Sequence, residues 1–137
     1  MLVACGGDGS GSGSYSRSDG FLNITPALLS GKMFYYQYEA DDLRIFEKIS
    51  ITDSDSLNIQ SVLRDDLTGS SELVGDYSYS LSKGDLTIRL ATVYKEFKLK
   101  TIFSDFWLVE MVEASRVGPL ELKLYFLKPP NFPEEIQ

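Results

Sequence analysis

One thiol and no imidazole limit the chemistry open to this chain. Cys5 is the only cysteine, and no histidine occurs among the 137 residues. Without histidine there is no Ser-His-Asp or Cys-His relay, and most zinc sites lose their commonest nitrogen ligand. A single cysteine closes no internal disulfide. The thiol stands directly before Gly6-Gly7-Asp8-Gly9-Ser10-Gly11-Ser12-Gly13-Ser14, a stretch that no packed core would use. Its chemistry is therefore attachment, or it is an incidental surface cysteine.

The carboxylates are the second resource. Glu47 and Glu110 each fall on a face that is otherwise apolar under period-two alternation. A buried carboxylate is costly unless it is paired, so each reads as a polar anchor inside a cavity, as a residue at a barrel mouth, or as the mark of a bulge or a one-residue register error. Tyr36, Tyr38, Tyr77 and Tyr79 would supply hydroxyls and ring faces beside them. Paired acids also suit glycoside hydrolysis, which needs a fixed spacing that sequence does not give. Asp53-Ser54-Asp55-Ser56-Leu57-Asn58 echoes the opening of a calcium loop but has neither the central glycine nor the closing glutamate, so it reads as a solvated turn. No metal or cofactor is expected, and no enzyme.

These side chains must be placed by strands. Thr25-Pro26-Ala27-Leu28-Leu29 has a capping residue, a proline suited to a first helical position, and Gly31 to end the turn. From Lys32 onward, segments 32–40, 43–52, 56–64, 74–82, 85–91, 93–103, 106–115 and 120–128 are rich in aromatic and β-branched residues and are separated by Asp, Ser, Gly or Pro. No helix-length apolar period separates them, which argues against a parallel sheet. The pattern predicts an all-β, eight-stranded antiparallel up-and-down barrel preceded by a short helical turn.

Three hairpins can be registered from side-chain alternation. A turn at Asp41-Asp42 puts Glu39 opposite Arg44 and Glu47 opposite Tyr36. A turn at Lys83-Gly84 faces Leu81 with Leu86, Tyr79 with Ile88 and Tyr77 with Leu90. A turn at Ser104-Asp105 gathers Phe97, Leu99, Thr101, Phe103, Phe106, Leu108 and Val112 with Glu110 on the inner face. That register leaves Ile102, Trp107, Val109 and Met111 outside beside Lys98 and Lys100, as a partner surface or as a face covered by the N-terminal turn or by Phe132.

Leu2-Val3-Ala4-Cys5, with Gly6 following, resembles the lipobox of bacterial lipoproteins. The resemblance implies a thioether to diacylglycerol at Cys5, cleavage before it, and acylation of the new amino terminus. The charged and apolar parts of a signal peptide would lie ahead of Met1. Several acyl chains anchor firmly where one holds only marginally. Residues 1–20 then form the lipobox and a flexible Gly/Ser-rich leader with a reach of about 20 Å. Residues 21–137 form the domain, with a short Pro-rich tail. Within it, Gly31-Lys32-Met33-Phe34-Tyr35-Tyr36 after a helical turn resembles the opening of a lipocalin-like barrel, although Met33 stands where that group carries Trp.

Together these readings describe a cell-envelope lipoprotein, facing the periplasm or the surface from the outer membrane. It would be a non-catalytic module for a small apolar or amphipathic ligand. The alternative is a filled barrel acting on a protein partner through its outer surface. A net charge of −7 disfavours nucleic acid and broad docking on anionic lipid, which leaves the lipid anchor as the membrane contact.

Overall fold

The computed structural model describes residues 17–65, 69–89, 94–113 and 117–137. The lipobox, Cys5 and most of the Gly/Ser leader lie outside the described residues. Thr25 caps α1 (Pro26–Leu29) by accepting from the Leu28 N–H at 3.2 Å. Eight strands follow: β1 (Met33–Ala40), β2 (Leu43–Ile51), β3 (Ser56–Asp65), β4 (Gly69–Ser80), β5 (Leu86–Arg89), β6 (Tyr94–Ile102), β7 (Phe106–Glu113) and β8 (Leu120–Tyr125). Each pairs antiparallel with its sequence neighbour, and β8 returns to β1, closing the barrel. The all-β, eight-stranded up-and-down architecture expected from alternation is the observed one. It is compatible with a lipocalin-like fold.

Two hairpins adopt the registers that alternation implies. Asp41 and Asp42 both take positive φ, the backbone of a two-residue turn whose twist matches its strands, and Glu39 pairs with Arg44 and Tyr36 with Glu47. Lys83 and Gly84 do the same between β4 and β5, where Tyr79 pairs with Ile88. The expected partner of Tyr77, Leu90, lies outside the described residues. Gly84 is needed twice over. Its φ is +82°, and a Cβ there would run into the Asn23 amide of the N-terminal segment. Gly84→Ala should lower stability by about 1–3 kcal/mol in a chemical denaturation series.

The third hairpin departs from expectation. Ile102 pairs with Trp107 and Thr101 with Leu108, as a turn at Ser104-Asp105 requires, but the next pair is Leu99 with Val109. Lys100 is an extra residue, a β-bulge. A one-residue slip sends every later side chain to the opposite face. Trp107, Val109 and Met111 therefore point into the barrel, each no more than 2% exposed. The outer partner surface assigned to those three does not exist. Ile102 shares the face of Trp107 but sits at the rim, 45% exposed. Glu110 turns outward, 3.7 Å from Lys100, and is no interior anchor.

The barrel interior is one apolar cluster whose lower half includes Phe34, Ile49, Leu57, Leu99, Trp107 and Leu124. Phe34 and Trp107 pack at 4.8 Å between ring centroids. Ile24 and Leu29, fully or nearly fully buried, join this cluster at the end where β1 begins. The N-terminal segment is stitched there by Leu22 bonding to Leu99 and Ile24 to Gly84. Arg17 reaches the Lys83 carbonyl and the Asp85 carboxylate, the latter at 2.9 Å. A second, outer cluster forms where the tail crosses β1 to β3. Phe132 and Ile136 pack on Tyr35, Phe46 and Val62, with Phe132 edge-on to both rings. Phe132 thus covers β1 and β2, not the β6–β7 face.

Candidate functional site

Above the apolar floor the interior changes character. Glu47 on β2 is 6% exposed and faces inward, as its alternation requires. Tyr36, beside it on β1, donates its hydroxyl to Glu47 Oε1, and Ser61 on β3 donates to Oε2 at 2.6 Å. Lys95, at the start of β6 on the far wall, reaches across to Glu47 Oε1 at 2.7 Å. Its Nζ also lies 3.7 Å from Glu113 Oε2 on β7, which accepts from the Tyr38 hydroxyl at 3.0 Å. One network therefore ties β1, β2, β3, β6 and β7 together across the lumen.

The rings complete the enclosure. Tyr36 and Tyr38 stack with planes 10° apart, and the Lys95 Nζ lies 5.9 Å and 5.6 Å from their centroids. An amino group held between carboxylates and ring faces is a cation–π arrangement. Among the described residues the set has two carboxylates, Glu47 and Glu113, and one ammonium, Lys95. Removing charges from water costs several kcal/mol each, and the cost is met only when the hydrogen bonds are complete. Here Glu47 has three donors.

Tyr36 shows the energetic consequence. Burial, and then the neighbouring Glu47 carboxylate, push its hydroxyl well above the ordinary tyrosine value. An unfolded chain releases that proton near pH 10, whereas the folded chain retains it. The contribution of Tyr36 to stability is therefore complete below about pH 10 and is lost as pH rises beyond it. Urea midpoints measured from about pH 8 to about pH 11 should fall, and Tyr36→Phe should flatten the fall.

Of the residues singled out from sequence, Tyr36, Tyr38 and Glu47 come together in this network. Tyr79 lies toward the closed end, its hydroxyl donating to the Asp53 carbonyl at 2.8 Å. Tyr77 is half-buried and lies over Gly75, where a Cβ would come within 2.7 Å of the Tyr77 hydroxyl. Neither meets Glu47. Asp53 serves its own turn, its carboxylate accepting from the Asp55 N–H at 3.0 Å. Sequence reasoning missed Lys95, Ser61 and Glu113. Lys95 shares the parity of Phe97 and Leu99, and Ser61 that of Leu57 and Ile59, so both were legible. Glu113 shares the parity of Trp107, and only the bulge turns it inward.

No family model, curated protein or solved structure matches this chain.

Proposed function

We propose that this chain is a non-catalytic binding module of the bacterial cell envelope, tethered by lipid at Cys5 and taking a small amphipathic ligand into the upper barrel. The observation that carries the reading is the Glu47–Lys95–Glu113 network in a lumen otherwise lined by apolar side chains. Apolar side chains of similar volume would stabilise such a core as well or better. A polar network under an apolar wall is what orients the polar end of a ligand. The lipid tether rests on the lipobox resemblance and on the Gly/Ser leader. On this reading the apolar part of the ligand lies toward Phe97 and Met111, and its polar end exchanges hydrogen bonds with Tyr38 and Glu113.

The test is titration with N-phenyl-1-naphthylamine, a neutral apolar amine whose fluorescence rises on burial. Wild-type protein should bind it saturably. The variant Glu47→Leu/Lys95→Met/Glu113→Gln should keep its circular dichroism and lose at least ten-fold in affinity. Equal affinity in both, or no saturable binding to wild-type protein, would count against the proposal.

A further inference from the structure

The barrel closes through a narrow join. Among the described residues the β1–β8 ladder consists of the single pair Tyr35 and Tyr125. Yet β1 runs on to Ala40 and β8 begins at Leu120, so both strands extend past that pair on the same side of it. Hydrogen-bond alternation tells which backbone groups face the gap. Ile51 N–H donates to the Lys32 carbonyl, which turns the even-numbered residues of β1 toward β2 and the odd-numbered ones toward β8. Phe126 N–H donates to the Asp105 carbonyl, which turns even-numbered residues of β8 toward β7. Gln37, Glu39, Glu121 and Lys123 therefore aim their N–H and C=O groups at the seam without a ladder partner there. All four are exposed.

Two clefts flank this seam, of about 400 Å³ and about 360 Å³. Both are lined by Gln37 and Asn131. The first borders β8 at Glu121 and Lys123, and the second lies over the β1–β2 pair at Arg44 and Phe46. The Asn131 side-chain amide, chemically a peptide group, already bonds the Gln37 side chain at 2.9 Å. The β1 side carries three exposed acids, Glu39, Asp41 and Asp42, against one arginine, Arg44, cross-strand from Glu39. On the β8 side Glu121 is held by Lys100 at 2.7 Å, and Lys123 is drawn over the Phe106 ring.

We infer that the β1–β8 seam is a docking edge for an extended peptide segment with basic residues at alternate positions. Unpaired strand edges recognise any backbone, and side chains at every second position then select among sequences. A strand laid against Gln37 and Glu39 would place alternate side chains beside Glu39 and the Asp41-Asp42 turn. The net charge of −7 attracts such a segment from a distance. This site is separate from the lumen network and stands whether or not a ligand enters the barrel.

The probe is the hexapeptide Lys-Val-Lys-Val-Lys-Val, blocked at both ends, with Glu-Val-Glu-Val-Glu-Val as control, titrated into the full chain and followed by amide NMR. The basic peptide should shift and protect the amides of Gln37, Glu39, Glu121 and Lys123, with affinity falling severalfold as salt rises. Glu39→Lys should weaken it at least ten-fold. Gln37→Pro should do the same, since it removes one seam-facing N–H and leaves the β2 ladder intact. The lumen variant Glu47→Leu/Lys95→Met/Glu113→Gln should bind the peptide normally, which separates this test from that of the lumen. Equal binding of the two peptides, shifts confined to residues away from the seam, self-association through this edge, or indifference to Glu39→Lys would overturn the inference.

Discussion

Lys95→Ala should lower the unfolding free energy by about 3–5 kcal/mol, far more than a surface lysine would. The reason is what remains. Glu47 loses one of its three donors and keeps its burial, and Glu113 loses the amino group 3.7 Å away. A buried carboxylate that loses its counter-charge costs more than the pair contributed. The triple variant Glu47→Leu/Lys95→Met/Glu113→Gln should therefore be more stable than Lys95→Ala alone, although it carries more changes. Urea denaturation of both variants decides the matter. A loss under 1 kcal/mol for Lys95→Ala would place that lysine in solvent.

Trp107→Ala is the second large effect, at about 3–5 kcal/mol, because it empties a site packed by Phe34 and Phe126 on the barrel floor. Glu110→Ala, three residues along the same strand, should change stability by no more than about 0.5 kcal/mol. The contrast measures the register directly. With Lys100 bulged, Trp107 is inside and Glu110 outside; with a continuous ladder the two effects would exchange places. The single tryptophan offers a second readout, since its fluorescence should resist quenching by acrylamide until the barrel unfolds.

Those two residues also mark how far the sequence could be read. The β1–β2 and β4–β5 hairpins were legible because short turns of Asp41-Asp42 and Lys83-Gly84 fix one register, and because one face of each strand is plainly apolar. The same alternation put Glu47 inside opposite Tyr36. The β6–β7 hairpin was not legible in the same way. Its turn was correct, but β7 is apolar on both faces, and a strand of that kind fits either register. The discriminating signal was position: the even-numbered face carries its acid, Glu110, in mid-strand, whereas the odd-numbered face keeps Trp107, Val109 and Met111 apolar up to Glu113 at the strand end. Weighing that cost would have favoured a bulge, and with it Glu113 would have turned inward.

The tail follows a different logic. Phe132 and Ile136 have no periodicity to read, and their burial depends on the outer faces of β1 to β3, which alternation treats as solvent. Tyr35, Phe46 and Val62 were the sequence signal: apolar residues on the outward parity of three consecutive strands call for a cover. The seam between β1 and β8 was invisible for a related reason. Strand lengths can be counted from sequence, but where two ends of a sheet part depends on the stagger of the whole barrel.

If the lumen network holds a ligand, that ligand should travel with the protein. Native mass spectrometry of full-length protein, freshly purified and never denatured, tests it most directly. A fraction of molecules should be heavier than the bare chain by one small-molecule mass, lost on gentle collisional activation, with no such fraction for Glu47→Leu/Lys95→Met/Glu113→Gln. A bare-chain mass for wild-type protein that stays bare after incubation with a cell-envelope lipid extract would contradict it.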